Sequence, residues 1–209
     1  DVERSRGLGD VYKRQVHTLE RYFTKPGVTS LALTDGMAEA LLRNVMRNAR
    51  LALQAPDDYD VRAEIMWAGT LSHNDITGDR SQGDWASHQL EHELGGMFDI
   101  AHGAGLAAIW GSWARYVLKQ NPCRFAQLAV NVLNVPYSFG NDEKTALEGI
   151  AAMEDFFRSI GMPTSISDME IELTDAQIKE LAHKCSFMGR RTIGGFVTLN
   201  AADMENIYR

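Results

Sequence analysis

The sequence predicts an all-α domain, and three observations carry that prediction. Apolar residues recur at helical spacing in segment after segment, the segments close at Gly, Pro or Asn, and no stretch alternates apolar and polar residues over a strand's length. A chain of 209 residues with 44% apolar content fills one large core or two small ones. No glycine-rich nucleotide fingerprint follows a strand, and there is no G-x-S-x-G elbow.

Each element can be justified in chain order. Residues 37–54 (MAEALLRNVMRNARLALQ) are strongly periodic, with Asp35 as the expected N-cap and Pro56 just beyond. Periodicity resumes over 59–75, and Gly78 and Gly83 then mark a loop. The next helix carries WASHQLEHEL and is expected to end at Gly95-Gly96. After a short turn a further helix begins near His102 and continues through the apolar segment 105–121, which Pro122 follows. Residues 123–135 keep the pattern as far as Pro136, and 142–161 form an amphipathic helix closing on Gly161 with Pro163 beyond. A Thr174-Asp175 cap opens 174–185, and 201–209 make a short last helix. Residues 1–14 (DVERSRGLGDVYKR) are charged and broken by glycine instead. They are read as a non-native leader joined near Gln15 to one helical domain over 15–209.

Composition excludes several classes of partner. A formal charge of −7, with no Lys/Arg stripe interleaved with aromatics, argues against nucleic acid. No apolar run approaches the roughly 18 residues that a membrane span needs, and the first residues lack the apolar core of a secretory signal. Cys123 and Cys185, far apart in sequence, fit a reduced cytoplasmic setting better than a disulfide framework.

The chemistry concentrates in 85–107, WASHQLEHELGGMFDIAHGAGLA. His88, His92 and His102 fall in this window, half of the chain's six histidines, and imidazole is the commonest protein ligand for a transition metal. On a helix His88 and His92 share a face, one turn apart. His102 would lie about 21 Å farther along a continuous helix, so it joins them only if the chain turns back. Spacing alone favours another set, because His88 to His92 reads H-x-x-E-H. In the inverted zinc-peptidase motif both histidines bind zinc and the glutamate, here Glu91, is the general base. A carboxylate such as Glu148 or Glu154 would complete that site.

Four blocks extend the comparison: QVHTLERYFT (15–24), YDVRAEIMWAGTLSHN (59–74), GDWASHQLEHELGGMFDIAHGAGLA (83–107) and FFRSIGMPTSISD (156–168). In that order they resemble the iron-dependent alcohol dehydrogenases, and within them the butanol-dehydrogenase-like NAD(P)H-dependent aldehyde reductases. The resemblance covers only the C-terminal helical domain of that family, without its dinucleotide-binding half. It implies a divalent metal, Fe(2+) or Zn(2+), held by an Asp-x-x-x-His pair and two later histidines. The matching ligands are His17, His88 and His102. His92 then stands beside the metal near the nicotinamide as the candidate for proton transfer, and Glu91 becomes an ordinary helix residue. The implied chemistry is hydride transfer between NAD(P)H and a small alcohol or aldehyde polarised by the metal. The family also implies a homodimer at full length and negligible activity for this chain alone.

The sequence departs from the family at Lys13, where the aspartate ligand is expected. An ammonium has no lone pair to donate and repels a dication. Asp10 shares roughly that helical face but lies about 10 Å along the axis from His17. Trp85, Phe98 and Trp110 are expected to pack in the core rather than line a substrate pocket. His73 is expected to cap or pack, while His183 and the Arg190-Arg191 pair are expected to be solvated. Besides the dehydrogenase, a zinc peptidase and a non-catalytic helical interaction domain remain open. Genomic sequence upstream of Gln15 tests the leader, because an in-frame native codon for Lys13 would exclude it.

Overall fold

The computed structural model describes residues 15–24, 31–78 and 83–209. Lys13, Asp10 and the proposed leader lie outside them. The described chain is helical, as predicted: α1 (15–22), α2 (Ala32–Gln54), α3 (Tyr59–His73), α4 (Ala86–Phe98), α5 (His102–Val117), α6 (Pro122–Leu133), α7 (Asp142–Ser159), α8 (Asp175–Cys185) and α9 (Ala201–Tyr208). Among the described residues the only β pairing is an isolated bridge between Ile193 and Leu199. No described helix is long and apolar enough to cross a membrane, and Cys123 and Cys185 are both free thiols.

α5 is the central element. Its sequence is apolar almost all round, as a helix buried on most sides must be, and it packs against α4, α7 and α9. Trp110 and Trp113 are both 1% exposed, and Trp110 meets Phe157 of α7 edge-on. Phe23, Trp113, Phe125 and Phe196 form an aromatic cluster, with Phe23 stacked on Phe125 at 4.3 Å. Trp110 is therefore core, and Phe98 is half-buried against the core.

Several boundaries differ from the sequence reading for identifiable reasons. α2 begins at Ala32, five residues before the expected start, so Asp35 lies inside its first turn rather than capping it. The Asp35 carboxylate pairs with both terminal nitrogens of Arg124, at 2.5 and 2.7 Å. Pro122 opens α6 at its first position, where its missing N–H costs no helical hydrogen bond. α4 does not end at Gly95-Gly96; it runs on to Phe98 and leaves at Asp99, which adopts a left-handed φ of 51°. α8 keeps its expected Thr174 cap, which forms a complete capping box with Gln177.

Two buried charged groups hold α1 in place. Arg124 donates to the backbone carbonyl of Tyr22 from Nε and Nη2, at 3.1 and 2.6 Å, and its guanidinium lies 3.7 Å from the centre of the Tyr22 ring. It thus satisfies a carbonyl at the C-terminal end of α1 while neutralising Asp35. Asp84, 2% exposed, works through the backbone: Oδ1 accepts from Phe196 N at 2.9 Å and Oδ2 from Ala86 N at 3.1 Å. Its own N–H donates to Glu20 O at 2.8 Å, and its carbonyl accepts from Gly195 N at 3.1 Å. Burial pushes the Asp84 carboxyl up to about 7, against the opposing pull of these N–H donors.

Two stability measurements follow. Arg124→Ala strands Asp35 in a mostly buried position and is expected to cost about 3 kcal/mol in urea unfolding. Arg209→Ala, which breaks surface pairs with Asp175 and Glu205, is expected to cost less than about 1 kcal/mol. Equal losses would contradict the buried role. Asp84 carries a folded-state pKa raised from 3.8 to about 7, so its contribution is complete below 3.8 and is lost as pH rises through about 7. Unfolding midpoints across that window should fall less steeply for Asp84→Asn than for the parent chain. Identical slopes would refute this assignment.

Candidate metal centre

The histidines converge from three helices. His17 is half-buried on α1, His88 is buried in the first turn of α4, His92 is exposed one turn later, and His102 is the first residue of α5. The left-handed residue Asp99 and extended Ala101 turn the chain so that α5 packs back on α4. The predicted turn-back therefore exists, displaced beyond the glycine pair. Ring centres lie 4.6 Å apart for His17–His88 and 5.3 Å apart for His88–His102. Two imidazoles bound to one zinc-like ion at about 2.0–2.1 Å have centres roughly 5 Å apart, so these separations suit ligands of a common ion. His92 stands farther from His88, at 6.1 Å, and 5.4 Å from His102.

Carboxylates contact two of these rings. Glu20, on α1 one turn after His17, accepts from His88 N at 3.1 Å through Oε1, and its Oε2 lies against His88 Nδ1. Burial pushes the Glu20 carboxyl up to about 8, outweighing the backbone donors from His88 and Ser87. Glu91 accepts from His102 Nδ1. Glu91 is thus no ordinary helix residue: it is 2% exposed and engaged with the site. A carboxylate on Nδ1 selects the tautomer whose lone pair is on Nε2, the usual arrangement behind a metal-binding imidazole. Among the described residues, the donor atoms of Glu91, His92 and His102 all lie within 4.8 Å of one another. His92 therefore groups with His102 on one side of His88, and His17 stands on the other.

Two neighbours complete the surroundings. Trp85 precedes α4 in a left-handed conformation, φ 57°, and its ring meets both His17 and His88 edge-on at 5.4 Å. Non-glycine residues held in that region carry strain that the surroundings must offset. Here Arg21 lies over the indole at 5.3 Å, pairs with Asp75 at 2.7 Å and donates to Ser72 O. His73, at the end of α3, has its ring 4.3 Å from His17 and donates from Nδ1 to Gly69 O at 2.8 Å. Packing was expected of His73, but not packing against a candidate ligand. No spacing rule could find that neighbour, because the two rings come from different helices, α1 and α3.

The donor set fits a borderline divalent ion in its chemistry: His17 and His102 each lie at a ligand-like ring separation from His88, and acids stand behind His88 and His102. It fits the peptidase reading poorly, since the Glu91 carboxylate is turned to His102. Glu154 pairs with Arg115 through two contacts of 2.5 and 2.7 Å, and exposed Glu148 sits beside Lys144. His183 is exposed, as expected. Arg191 differs from expectation, donating to Cys185 O at 2.8 Å and stacking on Phe187.

Comparison with known proteins identifies the family. The family description "Fe-containing alcohol dehydrogenase family, C-terminal" matches residues 15–209. Probable NADH-dependent butanol dehydrogenase 1 of Bacillus subtilis is 36% identical over 193 residues, covering 92% of this chain and 48% of that protein. NADPH-dependent aldehyde reductase YqhD of Escherichia coli is 33% identical over 179 residues, covering 86% of this chain and 45% of that protein. The solved substrate- and cofactor-free form of YqhD superposes with a TM-score of 0.87 at 31% identity, covering 98% of this chain and 52% of that one. The NADH-dependent butanol dehydrogenase A of Thermotoga maritima gives a TM-score of 0.88 at 27% identity, covering 98% and 52%. The chain thus spans about half the length of the relatives it matches. On fold and sequence together, it belongs to the Fe-containing alcohol dehydrogenase family, within whose C-terminal part residues 15–209 fall.

Proposed function

We propose that residues 15–209 form the metal-binding half of an NAD(P)H-dependent alcohol dehydrogenase or aldehyde reductase. The observation that carries this reading is that His17 of α1 and His102 of α5 each bring their ring to that of His88 on α4, at a separation suited to two ligands of one ion. These three residues would hold Fe(2+) or Zn(2+), with Glu20 and Glu91 orienting His88 and His102. When bound, the ion supplies Lewis acidity toward the oxygen of a small alcohol or aldehyde. His92 is exposed beside His102, where an imidazole can carry a proton between substrate oxygen and solvent. The nicotinamide supplies the hydride and is bound mainly by protein outside this chain. The complete protein works in the cytoplasm as a homodimer, and residues 15–209 alone turn over negligibly.

The site reading is tested by zinc competition titrations. His88→Ala and His102→Ala are expected to weaken zinc binding at least about 10-fold, whereas His92→Ala should bind as the parent does. Lys13→Asp is expected to strengthen binding by about 10-fold or more, by adding an anionic ligand in place of a cation. The activity reading is tested by joining the Lys13→Asp chain to a dinucleotide-binding half and assaying aldehyde reduction with NADH and NADPH. Absence of metal-dependent turnover would overturn it. In that protein His92→Ala is expected to lower kcat about 10²–10⁴-fold with metal content unchanged. Peptide hydrolysis abolished by Glu91→Gln, with metal retained, would instead support the peptidase.

A further inference from the structure

The glycines around the histidine segment make room for a carboxylate. A Cβ added to Gly105 would sit 2.7 Å from Glu91 Cγ and 2.8 Å from Glu91 Oε1, and one added to Gly95 would sit 3.0 Å from the same oxygen. These glycines come from different helices, Gly95 from α4 and Gly105 from α5, and both face the side chain of one buried acid. Gly95 is an interior residue of α4, so it does not end the helix; its helical cost relative to alanine is offset by the space it leaves. A carboxylate in so closed a slot needs a partner, and its hydrogen bond comes from His102 Nδ1.

We propose that Glu91 is a positioning residue, seated in a slot between α4 and α5 that Gly95 and Gly105 keep open, and that it fixes both the tautomer and the ring orientation of His102. With Nδ1–H committed to Glu91, the lone pair of His102 is on Nε2. Imidazole in water prefers the other neutral tautomer, so without Glu91 the proton moves to Nε2 and that donor is lost. Glu20 meets His88 differently, with Oε1 accepting from the His88 backbone N–H and Oε2 lying against Nδ1. Glu91 reaches the site from α4 and Glu20 from α1, so the two rings are oriented independently. The proposal rests on the reading of His102 as a metal ligand, while its structural half, the Glu91–His102 contact, can be measured without any metal.

The experiment uses the 209-residue chain with ¹⁵N-labelled histidine, metal-free, and long-range ¹H–¹⁵N correlation spectra that show which ring nitrogen of His102 carries the proton. His102 is expected as Nδ1–H in the parent and in Glu91→Gln, whose amide oxygen still accepts, and as Nε2–H in Glu91→Leu. Zinc affinity should fall about 10–100-fold in Glu91→Leu and less in Glu91→Gln. Gly95→Ala is the second variant: it favours the helix, crowds the carboxylate with Glu91 intact, and should shift His102 toward Nε2–H with weaker zinc binding. An unchanged His102 tautomer in the folded Leu and Ala variants would overturn the proposal, as would a changed tautomer with unchanged zinc affinity where His102→Ala does weaken binding. If His102→Ala leaves zinc affinity unaltered, the ligand reading fails instead, while the tautomer spectra still report on the contact.

Discussion

The buried carboxylate of Asp84 is the constraint around which the site is organised. Its side chain and backbone bond four separate main-chain groups, from Glu20, Ala86, Gly195 and Phe196. Those groups belong to α1, to the start of α4 and to the turn before α9. Removing an acid from water carries a desolvation cost, visible in the raised pKa, and only a full set of donors makes such burial tolerable. What this secures is registry. α1 carries His17 and Glu20, α4 carries His88 and Glu91, and Asp84 ties the backbone of one to the other at Glu20 and Ala86, within one helical turn of His17 and of His88.

Two arginines extend the same principle to the C-terminal end of α1. Arg21 binds it to the end of α3 and stacks on Trp85. Arg124 meets the Tyr22 carbonyl at the end of α1 and links it to Asp35 of α2. Arginine suits both places because its planar fork satisfies several acceptors at once and stacks on a ring while doing so. A site assembled from segments so far apart in sequence needs such cross-links, since helix packing alone permits sliding by a fraction of a turn.

Within the site the chemistry is divided by environment. His88 is enclosed and backed by Glu20, a setting for a fixed ligand. His92 sits one helical turn farther out and is exposed, a setting for exchange of protons with solvent. The same helix periodicity that puts both on one face therefore gives them different work, because Glu20 and His17 of α1 and the Trp85 ring close over His88 and leave His92 exposed. Trp85 and His73 flank His17, so the ring on α1 is held by neighbours from α3 and from the start of α4.

Much of this was legible in the sequence. Apolar periodicity, Pro and cap residues located most of the helices, because those signals act over a few neighbouring residues. The histidine window marked the site, and similarity to a family drew in distant His17, which no local rule connects to His88. Where the reading missed, a long-range contact had overridden a local preference. Asp35 looked like a cap and is an ion-pair partner of Arg124. Gly95-Gly96 looked like a helix end, yet α4 continues, because space for Glu91 rather than backbone freedom is what Gly95 supplies. The sequence by itself determined the helices and the identity of the donors, since both depend on side-chain chemistry at short range. Only the tertiary structure decided which donors meet, which nitrogen each histidine offers and which acids lie buried behind them, because those follow from desolvation and close packing between segments that the sequence keeps apart.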